Sequence, residues 1–272
     1  IILAVSFPGY NQSTLIFIGV VPLLLVLNSA SYKWAALYAW VSGVIFFGVS
    51  LSWILNTGSI VDGWVLKAGV ISGFVFLISY CALYFALFGI IASYCINIWA
   101  GVSLLKNISL MSVLTMSWVG LEYLRSILFT GFPWVIFGVA FVETPIGQSL
   151  SLFGPYWLTA MIILFSFLSI TGFKGILIAI TGFFLLFLYG ESRITDNEQF
   201  EPSVKIRIVQ PNILQKLKWD QELGDSHLNK LFKLSENNIE EIDLIIWPET
   251  AVQFFLEQDR EFAKKVSERL GK

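Results

Sequence analysis

The chain has 272 residues, of which 56% are hydrophobic and only 13% charged, with a mean hydropathy of +0.76. Soluble domains carry about 25% charged residues, so a water-soluble core of this size is excluded. A net charge of -2 argues against nucleic-acid binding, which needs a basic face. The chain opens on Ile1-Ile2-Leu3 with no Met or charged leader and stops at Lys272 inside a charged helical pattern, so both ends read as truncations.

In chain order, seven apolar stretches read as membrane helices: Ile1–Pro8 (the end of a cut helix), Thr14–Leu27, Trp34–Leu55, Leu66–Trp99, Ile108–Leu124, Ile146–Thr171 and Ile176–Tyr189. About 20 apolar residues cross the hydrocarbon, so six full crossings and one partial are expected. Thr14–Leu27 is short and holds Pro22, while Leu66–Trp99 is long enough to tilt or overshoot. Charges here are few, chiefly Lys33, Asp62, Lys67, Lys106, Glu122, Arg125, Glu143 and Lys174. With these spans, Lys33, Lys106 and Lys174 share one side and Asp62, Glu143 and Glu191 the other, with Lys67 and Arg125 as exceptions. Lysine marks cytoplasmic loops, so the residues after Glu191 are expected outside, on the periplasmic face of a bacterial inner membrane.

The composition turns ordinary at Glu191. Residues 1–190 are therefore expected to form a transmembrane helical bundle, 191–203 a linker, and 204–272 the opening part of a soluble α/β domain. Val204–Val209 alternates as a strand does. Asp220–Ile239 has helical spacing with Asp220 as N-cap. Ile242–Trp247 is a continuous apolar run closed by Pro248, the pattern of a buried strand. Glu257–Leu270 is a charged amphipathic helix. The order β-α-β-α predicts a layered α/β domain, incomplete at about 70 residues.

Among candidate site residues, Glu249 follows the second strand, where α/β folds place their chemistry. Partial burial at that point suits a carboxylate to general-base work. The plainer reading is an acid stabilised by a helix N-terminus. Trp219 precedes a helix, either as a packing aromatic or as an apolar face for an acyl chain. Glu122 and Arg125 are three apart on one helix and are expected to pair, either for function or to hold the following loop. That loop, Gly131-Phe-Pro-Trp134, reads as an interface anchor or as the shaper of a lipid entrance. Cys81 and Cys95 lie in an apolar helix, with no His or acid beside them, and are assigned to packing. His227, the only histidine, has no second ligand near it, so no metal is expected, and no phosphate or dinucleotide fingerprint appears.

Three blocks taken together resemble apolipoprotein N-acyltransferases. They are Glu122-Tyr-Leu-Arg125 with Thr130-Gly-Phe-Pro-Trp134 and Phe137-Gly138; Val209-Gln210-Pro-Asn212-Ile213 with Gln215 and Leu217-Lys-Trp-Asp220; and Trp247-Pro-Glu249. Leu3–Pro8 and Trp53 are also similar. The resemblance implies a transmembrane bundle carrying a periplasmic nitrilase-like α-β-β-α domain, here incomplete. It implies a Glu-Lys-Cys triad in which Glu249 matches the general base, while the Lys and Cys lie beyond this chain, leaving it inactive as it stands. Trp219 matches a Trp of the substrate site. Pro211 stands where Gly is also common, which alters a loop but no triad position. The implied reaction passes an acyl chain from a phospholipid, through a thioester, to the N-terminal amine of a diacylglyceryl-modified apolipoprotein, with no cofactor. Two rivals are a membrane-tethered nitrilase-like amidase and a non-enzymatic membrane module such as a transporter. The near absence of mid-membrane charge disfavours the transporter.

Overall fold

The computed structural model describes residues 1–99, 104–196, 204–253 and 260–271. The chain divides into two compact units, Ile1–Glu198 and Gln199–Lys272.

The first unit is a helical bundle. Its helices are α1 (Ile2–Val5), α2 (Leu15–Ser29), α3 (Tyr32–Ser50), α4 (Trp64–Trp99), α5 (Leu104–Ile127), α6 (Leu150–Ser169) and α7 (Phe173–Asp196). Among the described residues, four helices are long and apolar enough to cross a membrane: Tyr32–Ser50, Trp64–Trp99, Pro145–Ser169 and Phe173–Thr195. Helices occupy the other two expected places, but Leu15–Leu27 is short. The polar residues Ser109, Ser112, Ser117, Glu122 and Arg125 dilute the apolar character of α5. The third expected span ends early, because Ser52–Ser59 is a 3-10 helix. The 36 residues of α4 extend about 54 Å, well beyond a 30 Å hydrocarbon core, so the expected overshoot is present. Gly190 does not end α7, which runs on to Asp196; residues 197–203 of the expected linker lie outside the described residues.

Small residues set the helix packing. A Cβ on Gly89 would stand 2.6 Å from the Ala35 carbonyl oxygen, and one on Gly43 would stand 3.0 Å from Ala82. Such contacts let α3 and α4 approach backbone to backbone, as helices do where lipid supplies no hydrophobic drive. Ser93 on α4 donates to the Ala30 carbonyl at 2.9 Å. Deeper in, an aromatic core forms around Trp118, which meets Phe85, Phe88 and Phe137 at 4.9, 4.7 and 4.8 Å. The outer faces stay apolar, with Phe76, Ile180 and Leu185 exposed. Apolar patches this continuous are not tolerated by monomers in water, whereas hydrocarbon solvates them. The first unit is a helical membrane bundle.

The second unit is small. Strands β1 (Ile206–Ile208) and β2 (Leu244–Ile246) pair in parallel, Ile206 opposite Leu244 and Ile208 opposite Ile246. Helices α8 (Gly224–Ser235) and α9 (Arg260–Leu270) complete it. Leu231, Phe232, Val209 and Phe262 are buried, and the Trp247 ring meets Phe232 at 5.4 Å. Asp220 caps a 3-10 turn at Gln221–Leu223 rather than the long helix expected from it. The second strand is shorter than its apolar run and is not buried, since Leu244 and Ile246 are exposed. A parallel strand is buried when layers cover both sheet faces, and the described residues pack on one.

Candidate functional site

β1 and β2 run in the same direction, so the segments leaving their carboxyl ends emerge together. The pairing continues one step past the strands, where the Val209 amide donates to the Ile246 carbonyl at 2.9 Å. From β1 the chain reaches Gln215–Leu217, a 3-10 turn, and then Trp219. From β2 it passes Trp247 and Pro248 to Glu249. Trp247 is anchored: its Nε1 donates to Ser235 Oγ at 2.9 Å, and Ser235 Oγ donates to the Leu231 carbonyl at 2.8 Å. Arg207 on β1 donates to the Ser235 carbonyl at 2.5 Å, so strand and helix are tied at one point.

The Gln253 side chain joins the two segments. Gln253 Nε2 donates to the Lys218 carbonyl at 2.5 Å and to the Asp220 carbonyl at 3.0 Å. These carbonyls flank Trp219, so the peptide on either side of it is held by the segment that carries Glu249. Beside this link lies a cleft of about 320 Å³, lined by Ile213, Lys218, Asp225, His227 and Thr250 among others. Thr250 adopts φ 52°, a left-handed conformation that turns the chain sharply just after Glu249.

The two sequence-predicted residues thus lie on segments that the structure ties together. Both are exposed, Trp219 at 60%. Glu249 therefore lacks the partial burial that would suit it to general-base work. Among the described residues no hydrogen bond occupies its carboxylate, which leaves both oxygens open to a proton donor. Gln253 was not singled out by sequence, since an amide four residues after Glu249 carries no pattern. His227 lines the cleft. Among the described residues, no group of three or more His, Cys, Asp and Glu could hold a metal.

Cys81 and Cys95 are free thiols on α4, the first fully buried and the second partly. Cys81 packs in the same apolar core as Phe85 and Phe88.

The other constellation is in the bundle. Glu122 and Arg125 are buried, at 6% and 2% exposed. Each is committed to other partners, and among the described residues no direct ion pair joins them. Arg125 donates from one nitrogen to the Phe132 and Trp134 carbonyls at 2.8 and 2.7 Å. Glu122 accepts from the Phe137 amide and from Thr159 Oγ1, each at 2.9 Å. Thr159 Oγ1 in turn accepts from the Gly138 amide at 2.9 Å. The expected pair is therefore a clip on one loop.

Residues 1–168 match the family model of the apolipoprotein N-acyltransferase N-terminal domain. The chain is 30% identical to the apolipoprotein N-acyltransferase of Geobacter metallireducens, over 98% of its own length and 52% of that protein. It is also 30% identical to the Haemophilus ducreyi enzyme of that name, over 85% of this chain and 46% of the relative. The Rickettsia prowazekii enzyme is 36% identical over 63% of this chain and 37% of its own. The chain spans about half the length of the curated relatives it matches.

Proposed function

The chain belongs to the apolipoprotein N-acyltransferase family, and from that premise we propose that the whole protein transfers an acyl chain from a phospholipid to the N-terminal amine of a diacylglyceryl-modified apolipoprotein. The observation that carries the site is Trp247-Pro248-Glu249 at the carboxyl end of β2, tied through Gln253 to the Trp219 segment. The second unit is the opening of a nitrilase-like α-β-β-α domain, with 1–190 as the bundle, 191–203 as the linker and 204–272 as this opening.

In the first half-reaction Glu249 takes the proton of a cysteine thiol supplied elsewhere in the protein. The thiolate attacks the ester carbonyl of the phospholipid, and the oxyanion that forms is held by a lysine, also supplied elsewhere. The C–O bond then breaks, and the lysophospholipid leaves with the proton from Glu249. In the second half the lipoprotein amine attacks the thioester carbonyl, Glu249 takes the amine proton, the C–S bond breaks as the amide forms, and Glu249 returns that proton to the departing thiolate. Trp219 offers its indole face to the acyl chain. No cofactor takes part.

The setting supports this. Both substrates are anchored in the membrane, and a site tethered to a bundle meets them at high effective concentration. Lys33 and Lys174 stand at the starts of α3 and α7, Glu191 lies near the end of α7, and Asp62 lies in the connection between α3 and α4. This supports an inner-membrane protein with its α/β domain on the periplasmic side.

The test is transfer of a labelled acyl group by the purified whole protein, from phospholipid to a diacylglyceryl peptide. Amide formation at the peptide amine is expected. Hydrolysis of small amides with no transfer to the peptide would overturn the proposal in favour of an amidase.

A further inference from the structure

Trp118, Glu122 and Arg125 stand four and three residues apart on α5, so they share one face of the helix. All three are buried, Trp118 at 4% exposed. The loop after α5 folds back on the helix it leaves, with the Phe132 amide donating to the Arg125 carbonyl at 2.9 Å. Between this face, Phe47 of α3, Tyr84 of α4 and Phe137 lies a cavity of about 10 Å³, which Trp118, Glu122 and Arg125 all line.

Each of the three keeps polar capacity. Among the described residues Trp118 Nε1 is buried with no hydrogen-bond partner of ordinary geometry, although its ring stands beside the Glu122 carboxylate. Arg125 spends one nitrogen, Nη1, on the Phe132 and Trp134 carbonyls. A guanidinium has five N–H donors, so those on Nε and Nη2 remain. Glu122 accepts one bond on each oxygen, from the Phe137 amide and from Thr159 Oγ1. A carboxylate has about four acceptor places, so each oxygen has room for another. An indole N–H left unmet in an apolar bundle carries the full penalty of its desolvation.

The volume decides what meets these groups. A space of about 10–15 Å³ admits one water and nothing larger. A metal cation has no place beside an indole N–H and a guanidinium, which are both donors. The groups call for a molecule that accepts from the indole and the guanidinium and donates to the carboxylate, and water does all three. An apolar cavity stays dry, but this one is lined by a charge of each sign.

We propose that one water molecule is a fixed part of this bundle, accepting hydrogen bonds from Trp118 Nε1 and Arg125 and donating one to Glu122. The water links the two charges that no direct ion pair joins. It closes a chain of hydrogen bonds that runs from the Phe132 and Trp134 carbonyls through Arg125, the water and Glu122 to Phe137 and Thr159. One network thereby locks α5, the loop after it and α6, and both buried charges are hydrogen-bonded and paired. The site lies wholly within the first unit and does not depend on the acyl-transfer reaction.

The experiment is a structure of the whole protein in lipid nanodiscs at a resolution that shows ordered water. A density peak is expected about 2.7–3.2 Å from Trp118 Nε1, within hydrogen-bond distance of a Glu122 oxygen and an Arg125 nitrogen. Well-defined side chains with no peak between them would overturn the proposal. So would a direct bond from Trp118 Nε1 to the Glu122 carboxylate, which meets the need of the indole without water. In solution, the ultraviolet resonance Raman difference between the wild type and Trp118→Phe isolates this indole. Its N–H band should lie where hydrogen-bonded indoles lie, and the band of a free N–H would equally overturn the water. If Trp118→Phe does not fold, the wild-type structure decides alone.

Discussion

At the end of α5 a carboxylate is buried and accepts two hydrogen bonds; at the end of β2 another stands exposed, with no such bond among the described residues. Glu122 has the surroundings of a structural group. Its oxygens are committed to Phe137 and Thr159, and any proton transfer would break the loop it holds. Glu249, which we propose as the base, is exposed. Its place is set by its neighbours, Trp247 anchored on Ser235 and Gln253 on the Lys218 and Asp220 carbonyls, while its own carboxylate stays open. The buried carboxylate is spent on holding a loop, and the exposed one is free of such bonds among the described residues.

This contrast can be broken by substitution. The largest effect on stability is expected from Glu122→Leu. It leaves the buried Phe137 amide and the Thr159 hydroxyl without their acceptor, at a cost of about 3 kcal/mol. A thermal melt in detergent should show a marked drop, and an unchanged melt would mean that Glu122 does not hold the loop. Next is Gly131→Ala. The new Cβ meets the Ser126 carbonyl and the backbone is left-handed, so about 1–3 kcal/mol is expected in the same assay. Wild-type stability would show that the loop can adopt another shape at no cost. The smallest is Trp247→Phe, which keeps the aromatic packing on Phe232 and removes the bond to Ser235, for about 1 kcal/mol. Chemical denaturation of the whole protein measures it. A loss of several kcal/mol would make this bond a keystone of the α/β unit.

Periodicity and apolar length made the bundle and the β-α-β order legible, because both record which faces avoid water. The clip was not legible as such. Three-residue spacing implies a pair, and only the backfolded loop brings carbonyls that compete successfully for Arg125. The contact of Trp53 with Trp134 joins residues that no local pattern connects. The apolar run at Ile242–Trp247 located β2 correctly but overstated its burial, since hydrophobicity records what a face needs and not what the neighbouring residues supply. Glu249 could be singled out because Pro248 ends the run just before it. Gln253, which ties its segment to that of Trp219, left no mark in the sequence.

The central claim, that Glu249 is the base and Glu122 is not, is tested most directly by acyl-enzyme formation in the whole protein carrying Glu249→Gln. This substitution keeps the size of the side chain and removes its ability to take a proton. With labelled phospholipid, the acyl-enzyme should form about 10²–10⁴ times more slowly than in the wild type, with the melting temperature unchanged. Acylation at the wild-type rate would contradict the account, and so would inactivity accompanied by a collapsed melting temperature, which would make Glu249 a structural residue after all.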